Sequence, residues 1–158
     1  MPGSAFAGNR LDGPGPAVFG LHCTLARGKS LVPLMRALGR AAVLPDLPGH
    51  GGRGWDRSGS YFAACNAVFQ AAPTAPSLVF GHSFGAVLAL AYARAFPARV
   101  SALVLAEPVA FVYAQEARDP AYDAFLDRNA GFGQAIAAGD RASAARAFLD
   151  AWGEGGAA

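Results

Sequence analysis

Histidine is scarce in this chain of 158 residues: there are three, His22, His50 and His82, and none follows position 82. Cysteine is scarcer still, with only Cys23 and Cys65. Two thiols make no disulfide framework and suit a reducing compartment. The thiols and imidazoles also lack the spacing of metal ligands, so no metal site is expected. Charged residues make up only 15% of the chain, 13 Lys and Arg against 11 Asp and Glu. The basic residues are scattered singly, which excludes the cationic stripe of a nucleic-acid or membrane-surface binder. No apolar run approaches the roughly 18 residues that cross a bilayer. Residues 1–11 show no cationic segment followed by an apolar core, so no signal peptide is expected. These absences predict a soluble, cytoplasmic protein.

What the chain has in quantity is apolar side chain, 53% of its residues. That is enough for one domain with a sizeable core, and too apolar for compositional disorder. It also has 20 Gly and 11 Pro, which punctuate short runs. The first 16 residues are rich in both and predict a loose arm, with Phe6 to Leu11 as the remnant of an edge strand. Strands are predicted at Ala17 to His22, Ala41 to Leu44, Ser77 to Phe80 and Val100 to Leu105. Helices are predicted between them. The first covers Leu31 to Leu38, with Ser30 as cap and Gly39 as stop; the others cover Tyr61 to Ala71 and Ala86 to Phe96. Short strands alternating with helices of about ten residues argue for a parallel α/β sheet. Beyond Pro108 only helical patterns remain: Ala121 to Arg128, Phe132 to Ala138, and Arg141 to Trp152. Asp140 would cap the last, with Ala145, Phe148, Leu149 and Trp152 on one face.

Gly81-His82-Ser83-Phe84-Gly85 has the pattern of a nucleophile elbow, a sharp strand-to-helix turn that holds a serine hydroxyl out into an active site. The pattern is only a hypothesis when it stands alone. Here Pro76 introduces the apolar run Ser77 to Phe80 ahead of it, and a helix ending at Pro97 follows. On the predicted helix Ala86, Leu90, Ala93 and Phe96 share a face, and the small residues Gly85, Ala86 and Ala89 let it lie close to the sheet. Gly81 and Gly85 leave the room that a strained serine backbone needs.

Several landmarks occur in one order: Leu21-His22-Cys23-Thr24 after a strand, Asp46-Leu47-Pro48-Gly49-His50-Gly51 after the next, then the elbow, then Val104-Leu105-Ala106-Glu107-Pro108. In this the chain resembles the α/β-hydrolase-fold superfamily over about residues 10–110. The resemblance implies a partial α/β-hydrolase core at residues 1–108, a mainly parallel sheet flanked by helices. A helical lid segment at 109–158 would follow, incomplete, so that the chain reads as cut inside its lid. It also implies a catalytic histidine well beyond the serine, and no residue after Ser83 is histidine. Where this family usually has His-Gly, the chain has His22-Cys23.

Ser83 is the expected nucleophile, activated by a base that a carboxylate orients. The resemblance makes the Phe84 and Thr24 backbone N–H groups the oxyanion donors. Glu107, which ends the strand after the elbow helix, is a candidate for the acid; its alternative role is to accept hydrogen bonds at the sheet edge. Asp46 reads as a turn cap, Cys23 as a small buried thiol, and His82 as a packing side chain turned away from Ser83. His22 reads as structural and His50 as turn-stabilising. The expected function is a serine hydrolase that cleaves an ester, thioester or related acyl bond through an acyl-Ser83 intermediate, without cofactor. Impaired activity is expected while the base is missing. The alternatives are a catalytically inactive binding remnant and an acyltransferase. Phe111, Tyr113, Tyr122, Phe125, Phe132, Phe148 and Trp152 would line a pocket for an apolar small-molecule acyl substrate or simply pack helices. A sheet without its closing strands would leave an edge open to self-association.

Overall fold

The structure, a computed structural model, describes residues 6–153; residues 1–5 of the expected N-terminal arm lie outside that range. The chain divides into two compact units, Met1–Val109 and Ala110–Ala158.

The first unit is built on five strands: β1 (Gly8–Leu11), β2 (Val18–Leu21), β3 (Ala42–Pro45), β4 (Ser77–His82) and β5 (Val100–Ala106). Their order across the sheet is β1-β3-β2-β4-β5. β1 runs antiparallel to β3, and every other pairing is parallel. β2 and β3 are buried at every residue, as expected of unbroken apolar runs in central parallel strands.

Helices cover both faces. α1 (Val32–Ala37) follows β2, α2 (Tyr61–Asn66) follows β3, and α3 (Phe84–Ala95) follows β4. Alternate residues of a strand point to opposite faces. Val18, Ala42 and Leu44 accordingly meet Met35 of α1. Their neighbours Phe19, Leu21, Val43 and Val79 meet Cys65, Val68 and Phe69 after β3, and Leu88, Ala89 and Tyr92 of α3.

Some boundaries differ from the sequence-based expectation. Ser30 is not the cap of α1. It lies inside a 3-10 turn, Gly28–Leu31, that precedes the helix, and its hydroxyl accepts from the Arg27 N–H at 3.4 Å. The turn starts early because the Asp46 carboxylate captures the Gly28 N–H. Gly39 does end the helix: its N–H donates to Arg36 O and that of Arg40 to Met35 O, the paired bonds of a Schellman stop. α2 passes into a second 3-10 stretch, Ala67–Ala71. α3 begins two residues earlier than expected and buries Gly85, Ala86, Leu88, Ala89 and Tyr92, whereas Leu90 and Ala93 are only half-buried. Nearly every residue from Phe84 to Ala93 is apolar, so periodicity alone does not mark its inner face.

The second unit contains α4 (Phe111–Glu116), α5 (Pro120–Arg128), α6 (Ala130–Ala137) and α7 (Arg141–Trp152). Asp119 caps α5 through the Ala121 N–H, and Asp140 caps α7 through the Ser143 N–H. α4 carries no side-chain cap and was not foreseen. The expected face of α7 is offset: Ala144 is buried and Ser143, Ala147 and Phe148 half-buried, while Ala145, Leu149 and Trp152 are exposed. The aromatic residues here stack on one another, Phe111 on Phe125 at 4.1 Å and Phe132 near Phe148 at 5.8 Å between ring centres. Among the described residues no helix is long and apolar enough to cross a membrane.

Candidate active site

β4 ends at His82 and α3 starts at Phe84, so one residue makes the whole turn. That residue, Ser83, has φ 55° and ψ −117°. Such a conformation costs a non-glycine residue about 1–3 kcal/mol and persists only where the surroundings impose it. Here the Ser83 N–H donates to Ala106 O of β5 at 2.8 Å, and Ser83 O accepts from the Ala86 N–H at 2.9 Å. The flanking glycines are sterically required. A Cβ on Gly81 would lie 2.4 Å from Gly85 O, and one on Gly85 would lie 2.2 Å from Leu21 O. The first turn of α3 is thereby pressed against the end of β2. Its leading N–H groups precede any intrahelical bond and favour negative charge.

The loop after β2 carries His22, Cys23 and Thr24. His22 is fully buried. Its Nε2 accepts from the Leu47 N–H at 2.9 Å, which leaves Nδ1–H to donate to Cys23 O at 2.7 Å. Burial lowers the pKa of His22 to about 4, so the ring is neutral near pH 7. Cys23, expected to be buried, is a half-buried free thiol; Cys65 is the buried one.

Asp46 does more than cap a turn. Its carboxylate accepts from the Gly52 N–H at 2.9 Å and from the Gly28 N–H at 2.8 Å, tying the turn after β3 to the loop after β2. A side chain at Gly51 would fall 2.2 Å from Asp46 Oδ2. His50 also reaches beyond its own turn. Nδ1 lies 2.9 Å from Pro48 O, and Nε2 contacts Thr24 O.

A cavity of about 410 Å³ opens here, lined by Thr24, Pro48, Gly49, His50, Trp55, Arg57, Tyr61 and Phe84. Thr24 and Phe84, the two expected oxyanion residues, thus face one space. Trp55 and Tyr61 form its aromatic wall with rings 4.9 Å apart, and Tyr61 OH donates to Pro48 O at 3.1 Å. Burial raises the Tyr61 pKa to about 12, which keeps the phenol protonated. Neither Trp55 nor Tyr61 was singled out from the sequence. The available signal was a tryptophan in an otherwise polar, glycine-rich stretch, where no core periodicity accounts for it.

His82 is not a packing side chain. Half-exposed, it pairs through Nε2 with Glu107 Oε2 at 3.1 Å, and the Glu107 side chain is 84% exposed. Glu107 itself has φ 48°. Among the described residues none of the three imidazoles hydrogen-bonds to the Ser83 hydroxyl. Nor do three His, Cys, Asp or Glu side chains gather there as a metal-binding group.

Residues 16–157 match the alpha/beta hydrolase family. The chain belongs to that family. It is 33% identical over 146 residues to lipase LipV of Mycobacterium tuberculosis, an alignment covering 89% of this chain and 56% of the lipase. Among solved structures, the thioesterase domain from the curacin biosynthetic pathway superposes with a TM-score of 0.51 at 30% identity. That match covers 66% of this chain and 47% of the thioesterase domain. The N-acyl homoserine lactonase AidH gives 0.55 at 26% identity, covering 68% of this chain and 43% of the lactonase. The chain therefore spans about half the length of these relatives. Its mostly parallel sheet with helices on both faces is a partial α/β-hydrolase fold.

Proposed function

We propose that this chain carries the nucleophile and oxyanion hole of a serine hydrolase that acts on an ester, thioester or related acyl bond. The reading is carried by one observation: Ser83 occupies a left-handed turn between β4 and α3, and Phe84, the residue that follows it, lines one cavity together with Thr24. The lipase, lactonase and thioesterase among the relatives support an acyl substrate. The rings of Trp55, Tyr61 and Phe84 support an apolar acyl group.

In this reading Ser83 Oγ attacks the substrate carbonyl carbon and a base takes the hydroxyl proton. The carbonyl oxygen becomes an oxyanion held by the Phe84 and Thr24 N–H groups. Removing one such donor typically costs about 3 kcal/mol of barrier lowering. The proton then goes to the leaving group, and water releases the acyl group from Ser83. The base is the weak point. His22 is neutral with both nitrogens engaged, both nitrogens of His50 face carbonyl oxygens, and His82 Nε2 faces Glu107. Glu107, the acid candidate, would orient an imidazole. Residues 109–158 would act as an incomplete lid segment. With no histidine after Ser83, these 158 residues alone are expected to acylate slowly and turn over poorly.

The test is labelling with a fluorophosphonate, read by mass spectrometry, beside hydrolysis of a short p-nitrophenyl ester. The wild type should gain one slow adduct at Ser83, and Ser83→Ala none. The missing base favours a second reading, a remnant that binds without turnover. Equal labelling and hydrolysis by both proteins would establish it in place of the first.

A further inference from the structure

Thr24 is held from both sides. His22 fixes the carbonyl of Cys23, which belongs to the peptide plane preceding Thr24. That plane is trans, since the described chain has no cis peptide bond. Its N–H, which is that of Thr24, therefore points opposite to its carbonyl and away from His22. The plane following Thr24 presents its carbonyl to His50 Nε2, from 26 residues further along the chain. With both planes pinned, Thr24 has little freedom in either backbone torsion.

His50 makes its second contact through Nδ1, 2.9 Å from Pro48 O. Carbonyl oxygens only accept hydrogen bonds, and a neutral imidazole has one N–H and one lone pair. Either neutral tautomer would set that lone pair against a carbonyl oxygen. The doubly protonated ring alone donates to both.

We propose that His50 is a positioning residue for the Thr24 amide: as an imidazolium it clamps the Thr24 carbonyl to the Pro48 carbonyl, so that loss of its proton loosens the second oxyanion donor. The proposal rests on the reading that Thr24 N–H serves in the oxyanion hole. The titratable groups around it are few. His22, ring centre 5.3 Å away, faces it from the loop after β2. It is neutral because of its burial, with a smaller contribution from the His50 charge. The Cys23 thiol lies on the same loop. Tyr61 of α2 places its hydroxyl on the same Pro48 carbonyl. Asp46, at the end of β3, holds the Gly28 and Gly52 N–H groups, and Arg57 lines the cavity. No carboxylate hydrogen-bonds to the His50 ring among the described residues.

Two measurements on the intact chain test this. The first is NMR of the imidazole nitrogens and the Thr24 amide from pH about 5 to about 9, the range over which a histidine changes charge. His50 should be protonated on both nitrogens at the acid end, and the Thr24 amide resonance should shift as His50 titrates. A single neutral tautomer throughout, or a Thr24 amide indifferent to the titration, would overturn the clamp. The second is the rate of fluorophosphonate labelling at Ser83 in wild type and His50→Gln, with His50→Asn as substitute should the first variant not fold. The wild-type rate should fall as His50 deprotonates. In the variant it should be about tenfold lower at the acid end, a part of what losing a whole donor costs, and should lose that pH dependence. Unchanged rate and profile would refute the proposal while leaving Ser83 as nucleophile. Absence of any Ser83-dependent label would instead defeat the hydrolase reading, with the NMR titration still deciding whether His50 holds Thr24.

Discussion

Three histidines of one chemistry are put to three uses by their surroundings. His82 is half-exposed beside Glu107, His50 bridges two carbonyls, and His22, two residues before Thr24 on the same loop, is fully buried. For His22 the consequence is a measurable pH dependence. Its pKa is lowered from 6.5 to about 4, mainly by burial. Between those values the unfolded chain binds a proton that the folded chain refuses, so stability rises with pH there. The contribution is fully present above about pH 6.5 and is lost as the pH falls toward 4. It amounts to at most about 3 kcal/mol, from about 1.4 kcal/mol per pKa unit. Urea unfolding at pH 7 and pH 4.5 should show the wild type losing most of this amount beyond the drift common to other groups. His22→Asn should be less stable at pH 7 and show a flatter slope. Equal slopes for the two proteins would remove His22 as the acid-sensitive group.

At the scale of elements, the elbow is a backbone structure that side chains are not allowed to enter. Gly85→Ala places a methyl group 2.2 Å from Leu21 O, a backbone atom with no rotamer to change. Either α3 must move off β2 or the strand must bend, and a cost of about 3 kcal/mol is expected. Denaturant melts of wild type and variant check this; a loss below about 1 kcal/mol would mean that the junction yields easily. This junction was readable from the sequence because the glycines two residues either side of Ser83 stand between an apolar run introduced by Pro76 and a helical pattern ending at Pro97. The short apolar runs likewise place β2 to β5 to within two residues. Of the inner face of α3, the small residues Gly85, Ala86 and Ala89 were readable and are buried, but Leu88 and Tyr92 were not, since a helix apolar all round lets the sheet choose the contact. Nor was the 3-10 turn ahead of α1, which answers to Asp46, 18 residues beyond Gly28. The cavity wall follows the same rule. Trp55 meets Tyr61 and Tyr61 meets Phe84 only through tertiary contacts across separate segments, and the one local signal is a tryptophan standing in a polar, glycine-rich stretch.

At the scale of the whole molecule, the sheet has an open side. Among the described residues β5 is the last strand in the order, and within the sheet it pairs only with β4. Leu103 and Leu105 turn inward to the core shared with α3. Val104 turns the other way, level with Phe80 of β4 in the parallel register, and is 44% exposed. Ala102 beside it, level with Leu78, is exposed as well. An apolar edge strand with unpaired backbone groups is a template for pairing with another chain, and natural sheets often blunt such edges with lysine. Concentration-dependent association is therefore expected, and Val104→Lys should oppose it by setting a charge on each copy at the contact. Light scattering over a concentration series measures the effect. The variant should associate at about tenfold higher concentration than the wild type, equivalent to about 1.4 kcal/mol. The substitution lies on a half-exposed position, so the core should keep its stability, and matching thermal melts of the two proteins would separate loss of pairing from loss of fold. A wild type that stays monodisperse at every concentration would show that β5 does not pair in solution.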